Sequence, residues 1–400
     1  MKYLTLFFVF SCALFVNAQE NTLSDYLLFE NQILFTNAPV NIDKFVYANN
    51  NISNEIIISF YHVNNQTDSI FFYVYNTEID SLYIESYYIK NINKSIKNDY
   101  SKTFTGIAVS DMFIGVLTSE YVYLLSRKDK NLIYKLKDKH KYDFTNIDFI
   151  GKNIFLSRNY NFHDKTQKNK TRFYLFTIPD FSLLTEISPS FDYILYSHIS
   201  PNHWISVNNN KILFSNTVNY KIIIYNNNFE ILDTILLSKE NEWNSPTIDD
   251  ISKIQEKKEA ISIIYEIGKY ENDKERIVGV YWISDSVFLV KVNRGHGESI
   301  ENLSYDTYFD IWKLKENNWN LEKFHIKDKK LSDVLLEKNE FSFFNCSNII
   351  FTNKNVFLLT FRSPTLLKNI STEEYIKQSN DYFYDNNPIF QIIKYKHSFE

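Results

Sequence analysis

Glycine and proline are scarce, at 7 residues each in a chain of 400, and there are only 2 cysteines and 2 methionines. So few glycines leave little material for loops that cradle phosphates. Two cysteines rule out a disulfide-stapled scaffold. Positive charge is not in excess either: 43 Lys+Arg stand against 48 Asp+Glu, a net charge of −5. A nucleic-acid binder would carry a basic excess to displace counterions, so that class is set aside. No P-loop, His-Glu-x-x-His, Gly-x-Ser-x-Gly, Cys-x-x-Cys or EF-hand pattern occurs. Gly295-His296-Gly297 lacks the third glycine and following helix of a dinucleotide fingerprint. His198 and His203 flank Pro201 without a third ligand at metal-binding spacing. The expectation is therefore no cofactor and no metal.

What the chain has in quantity is aromatic side chains: 29 Tyr, 34 Phe and 5 Trp, or 17% of residues. Together with many β-branched residues, these suit pleated, half-buried surfaces. The N-terminus is of another kind. Met1-Lys2-Tyr3 is a short positive start, Leu4 to Val16 is almost unbroken apolar sequence, and Val16-Asn17-Ala18 precedes Gln19. That is the layout of an export signal cleaved after Ala18, and the run is too short to span a bilayer. A lipoprotein anchored through Cys12 is the weaker alternative, because Phe10 stands where such signals want a small residue. No later run is long and apolar enough to cross a membrane. Cleavage leaves Cys346 as the sole cysteine, read as a small buried core residue. Residues 19–400 are then expected to form one domain, and the chain to act as a monomer.

Short apolar runs joined by polar turns recur along this domain. The clearest unit holds Thr103 to Val109, Met112 to Thr118, Tyr121 to Leu125 and Leu132 to Leu136, with Ser110-Asp111 and Ser119-Glu120 between runs. Four such runs predict a four-stranded antiparallel meander. Further copies begin at Phe45, Phe144, Trp204 and Ile277. The last has three runs only, Phe341 to Cys346, Val356 to Phe361 and Phe390 to Tyr395. Offsets of about 40 to 75 residues are those of propeller blades with loop insertions. A spare apolar stretch, Tyr26 to Phe35, supplies the strand the final copy lacks, which would close the ring at its ends. The fold predicted is all-β, a six-bladed β-propeller; seven blades or a two-sheet sandwich are the alternatives. One segment breaks the rhythm. Ser245-Pro246, Asp249-Asp250 and a closing Gly268 predict an inserted helix over about 246–267. Its isoleucine stripe suits packing over the blade edges or, alternatively, docking a partner.

The meander from Trp204 to Leu237, the helix and the re-entry Arg276-Ile-Val-Gly-Val-Tyr-Trp282 resemble the exported six-bladed β-propellers of Bacteroidota, related in shape to NHL and TolB-type propellers. In place of their glycine-bearing turns stand Asn runs such as Asn208-Asn209-Asn210, and Asn tolerates left-handed backbone. The resemblance implies fold and compartment, with no activity to transfer. Asp-Ser/Thr-aliphatic triplets such as Asp68-Ser69-Ile70 and Asp285-Ser286-Val287 look like the O-glycan acceptor pattern of such proteins, though any hairpin protein has turns ending this way.

Two function classes follow. The preferred one is a non-catalytic propeller binding a glycan, peptide or protein through loops at one mouth of the channel; the alternative is an extracellular polymer-degrading hydrolase or lyase at the same mouth. The candidate binding residues are Arg294, His296 and Glu298, on an expected loop that brackets one histidine with two of the few glycines. Arg294 could hold a carboxylate or sulfate and His296 could exchange a proton, oriented by Glu298.

Overall fold

The structure is a computed structural model that describes residues 26–35, 45–50, 54–60, 69–88, 104–118, 121–137, 144–158, 172–189, 205–208, 210–216, 220–237, 275–296, 304–327, 348–352, 354–362 and 389–399. Strand β1 (Leu27–Phe35) opens the chain. Then come β2 (Phe45–Asn50), β3 (Glu55–Phe60), β4 (Ser69–Asn76) and β5 (Ser81–Tyr88). The second meander is β6 (Phe104–Val109), β7 (Phe113–Thr118), β8 (Tyr121–Ser126) and β9 (Asn131–Lys137). The third is β10 (Asn146–Ile150), β11 (Asn153–Arg158), β12 (Arg172–Thr177) and β13 (Leu183–Ile187); the fourth is β14 (Ile205–Asn208), β15 (Lys211–Asn216), β16 (Lys221–Asn226) and β17 (Ile231–Leu236). The fifth is β18 (Glu275–Ser284), β19 (Val287–His296), β20 (Ser304–Lys315) and β21 (Asn318–Lys327). The last is β22 (Asn348–Phe351), β23 (Asn355–Arg362) and β24 (Ile389–His397), whose free edge is taken by β1, with Leu27 opposite His397 and Phe35 opposite Phe390.

Each meander is antiparallel and in chain order, and the first two share a single parallel bridge, Tyr88 to Asn131. The protein is a β-propeller. No α-helix occurs among the described residues; the helix expected over 246–267 lies outside them, as do Cys346 and the export segment.

Burial explains why middle strands read as runs rather than alternations. In β3, Ile57 packs with Ile107 and Val116 of the second meander, whereas Ile56 and Ile58 pack with Phe357 and Leu359 of the last. In β16, Ile222 and Ile224 face the fifth meander, and Ile223 and Tyr225 face the third. A strand covered on both sides needs apolar residues at every position. Six clusters of this kind link successive meanders, and the last cluster returns to the first meander. Each buried Ile or Phe adds about 1.5–3 kcal/mol, so these seams hold the meanders together. Fourth strands face outward: β13 and β17 expose Leu184, Ile231, Leu232 and Leu236. First strands lie side by side, β2 by β6, β6 by β10, β10 by β14 and β14 by β18, which places them innermost.

The shortage of glycine has a structural counterpart. Turns into the fourth strand take positive φ at Asp80, Lys130, Phe181, Phe229, Glu316 and Asn317. Left-handed backbone strains residues with a Cβ, and at Phe181 and Phe229 the ring is buried in the neighbouring core, which offsets that cost.

Two strand boundaries differ from expectation. Among the described residues the final meander begins with Asn348–Phe351, which is not among the expected runs; the run expected there, Phe341 to Cys346, lies outside the described residues. Strand β19 continues to His296, so Arg294, Gly295 and His296 are strand residues and not loop. Backbone pairing with Asp306, Tyr305 and Ser304 carries the ladder past the last apolar residue, because ladder bonds need no apolar side chain.

Candidate functional site at the mouth of the propeller

The turns joining first to second strands converge on one cavity of about 490 Å³, a size in the range of roughly 300–1,000 Å³ common for small-molecule sites. Five meanders contribute. The lining includes Asn49 and Asn50, Ser110, Asp148 and Gly151, Asn208, Asn210 and Lys211, and Asp285, with apolar surface from Val109, Phe149 and Val207. Because the first strands are innermost, these turns surround the mouth of the central channel.

Neighbouring turns are tied together by side-chain amides. Asn50 Nδ2 donates to Asp111 Oδ1 at 2.9 Å, joining the first and second meanders. Asn208 Nδ2 donates to Asp285 Oδ1 at 3.1 Å, and Lys211 Nζ donates to the Asp285 carbonyl at 3.4 Å, joining the fourth and fifth. Lys211 Nζ also stands 5.9 Å from the centre of the Trp282 ring. Gly151 has φ +57°, and a Cβ there would lie 3.0 Å from Asn210 Oδ1, so this turn requires glycine for both backbone angle and approach.

Asp148 differs from the other acids. Its Oδ1 accepts the N–H of Phe149 at 2.8 Å. Burial pushes its pKa up to about 7, against the smaller downward pull of that hydrogen bond. The cavity lining thus holds a half-buried carboxyl that changes charge near neutrality and, from another meander, an Asp285 carboxylate held by an amide. Among the described residues no group of three or more His, Cys, Asp or Glu could hold a metal ion.

The structure does not bring the sequence-predicted site residues to this cavity. Arg294 is half-buried near the far end of β19, in register with Glu275 on one side and Asp306 on the other. His296 pairs with Ser304 at the same end, and Glu298 lies outside the described residues. From Asp285, the far end of the strand is on the order of 30 Å away at roughly 3.3 Å per residue. Asn or Asp stands at or near the end of several first strands, but nothing in the spacing of these residues marks them in the sequence as one site.

No family model matches this sequence, and no curated protein matches it by sequence. Solved structures do. A Bacteroides fragilis protein named a "putative exported protein" shares 10% identity over 94% of this chain and 97% of its own, with a TM-score of 0.50. A member of the DUF4221 family from Bacteroides vulgatus shares 11% over 93% and 98%, at 0.48. The WD40 domain of Neurospora crassa Pan2 shares 11% over 70% of this chain and 65% of its own, at 0.38. At these identities the likeness extends to the fold alone.

Proposed function

We propose that this chain is an exported, non-catalytic, six-bladed β-propeller that binds a glycan in the cavity at its channel mouth. The observation that carries this reading is that Asn49, Asn50, Asn208, Asn210 and Asp285 line one cavity together with half-buried Phe149. An amide or carboxylate offers adjacent hydrogen-bonding atoms that match neighbouring sugar hydroxyls, and an aromatic face covers the apolar side of a sugar ring. A peptide groove would instead present a sheet edge or an apolar trough. The N-terminal segment ending Ala18-Gln19, and the naming of the Bacteroides fragilis protein as exported, support export.

The test is calorimetry of the mature chain against a panel of oligosaccharides. Asn210→Ala and Asp285→Ala are expected to weaken binding at least tenfold while the melting temperature stays within a few degrees. Loss of binding in Arg294→Ala with Asn210→Ala unaffected would instead move the site to the far edge of the β18–β21 sheet. Turnover of any oligosaccharide would refute the non-catalytic reading.

A further inference from the structure

The cavity carries information about which sugars it would take, and the following rests on the glycan reading above. We infer that the site selects sugars bearing a carboxylate, with Asp148 in its acid form donating a hydrogen bond to that carboxylate and Lys211 supplying the counter-charge.

The geometry supports this through a count of what is already engaged. Asp285 accepts the Asn208 amide with its carboxylate and the Lys211 ammonium with its carbonyl. Asn210 turns its Oδ1 toward Gly151, which directs its N–H groups elsewhere. One Asp148 oxygen takes the Phe149 N–H, leaving the other to carry a proton. With Asp148 protonated, Lys211 and Asp285 balance in charge, and Asp148, Asn210 and Lys211 are left with donors to offer. A carboxylate is the acceptor that uses them best, since O–H···O⁻ and N⁺–H···O⁻ bonds are about twice as strong as neutral ones.

The surroundings of Asp148 favour the acid form. Strand β10 packs against β6, β7 and β14, and none of these carries an ionisable side chain. Its partner β11 places Phe155 opposite Asp148 and holds Arg158 at its far end. Among the described residues, the charged groups on the turns at the mouth are Asp111, Lys152, Lys211, Asp285 and Lys354, with Lys152 and Lys354 exposed, and Arg127, paired with Glu55 and Glu85, donates to the Ser110 carbonyl at 3.4 Å. A bound carboxylate would raise the proton affinity of Asp148 further, as like charges do. Binding above neutral pH therefore takes up one proton.

The experiment is titration calorimetry of the mature chain with an oligogalacturonate and a neutral oligogalactan, at about pH 5.5, where sugar carboxylates stay ionised, and at about pH 8. The oligogalacturonate is expected to bind more tightly than the neutral oligomer. With Asp148 titrating near 7, its affinity should fall about tenfold between the two pH values. The heat at the higher pH should vary with buffer ionisation enthalpy, reporting proton uptake. Asp148→Asn keeps the shape and a donor, and should bind with a flat pH profile. Equal or tighter binding of the neutral oligomer, a pH-independent wild type, or an unchanged slope in Asp148→Asn each overturns the inference while leaving the glycan reading standing. Absence of binding by both oligomers at both pH values overturns the glycan reading itself, and this inference with it.

Discussion

Arg127 is the strongest single point at which to test how the meanders are held together. It follows β8, and its guanidinium reaches into the first meander, with Nη1 2.7 Å from Glu55 Oε2 and Nη2 2.9 Å from Glu85 Oε1. The three side chains are 10%, 9% and 7% exposed, so the pairs are shielded from water. Tyr83 donates to Glu55 at 2.7 Å, Tyr87 donates to Glu85, and the more exposed Lys130 lies 2.9 Å from Glu85. Arg127→Met keeps the apolar stem and removes the charge, leaving two buried carboxylates behind. Breaking a buried pair in this way costs about 3–5 kcal/mol. Lys130 still serves Glu85, so the low end applies, about 3 kcal/mol, or a fall in melting temperature of roughly 4 °C for a chain of this size.

The pH dependence gives a second reading of the same perturbation. Burial alone would raise the Glu85 pKa, but hydrogen bonds from Arg127, Tyr87 and Lys130 outweigh it and hold the carboxyl below its usual range. In the native protein Glu85 thus contributes stability above the unfolded Glu value, and that stability is lost as pH falls through the lower folded value. Without Arg127 the sign reverses. With the guanidinium gone, the buried carboxyls resist ionisation more strongly, and acid relieves the penalty. Chemical denaturation at about pH 7.5 and at about pH 5 should therefore show a smaller loss at the lower pH. Adding Glu55→Gln and Glu85→Gln to the variant should restore at least half of it. A loss below about 1 kcal/mol, or an equal loss at both pH values, would refute the picture of a buried, shielded pair.

Three further outcomes are expected. Gly151→Val forces a β-branched residue into positive φ with its Cβ against Asn210, and should cost about 2 kcal/mol in thermal unfolding. Tyr220→Phe removes a hydroxyl that donates to fully buried Asp310 at 2.7 Å and accepts from Trp312 Nε1 at 2.9 Å; the denaturation midpoint should drop by the equivalent of about 2 kcal/mol with unchanged slope. For the export reading, mass spectrometry of protein from its native host should find an N-terminus at Gln19; an intact Met1, or lipid on Cys12, would refute it.

Much of the strand layout was legible in the sequence because a strand buried on both faces must be apolar throughout. The expected runs from Thr103 to Leu136 correspond to β6 through β9 within a residue or two. Boundaries failed where side-chain pattern and backbone pairing part company. Asn348 to Phe351 is not among the expected runs, and it is a strand through its partnership with β23. Arg294 to His296 carry no strand pattern, yet their backbone pairs with β20. Scarce glycine drew attention to that stretch, whereas among the described residues the left-handed turns are mostly made by other residues.

By itself, then, the sequence determined local matters: which segments are strands, which are turns, that the repeats are meanders, and that their faces must be covered by one another. It could not determine the cavity. Asn49, Asp148, Asn208 and Asp285 are far apart in the chain, and nothing in their local spacing relates them. They meet because the innermost strands of successive meanders are laid side by side, bringing equivalent turns to the same rim. The same holds for the raised proton affinity of Asp148 and the pairing of Arg127 with Glu55 and Glu85. Both depend on how much water the surrounding meanders exclude, and that is a property of the packed assembly, which no stretch of sequence contains.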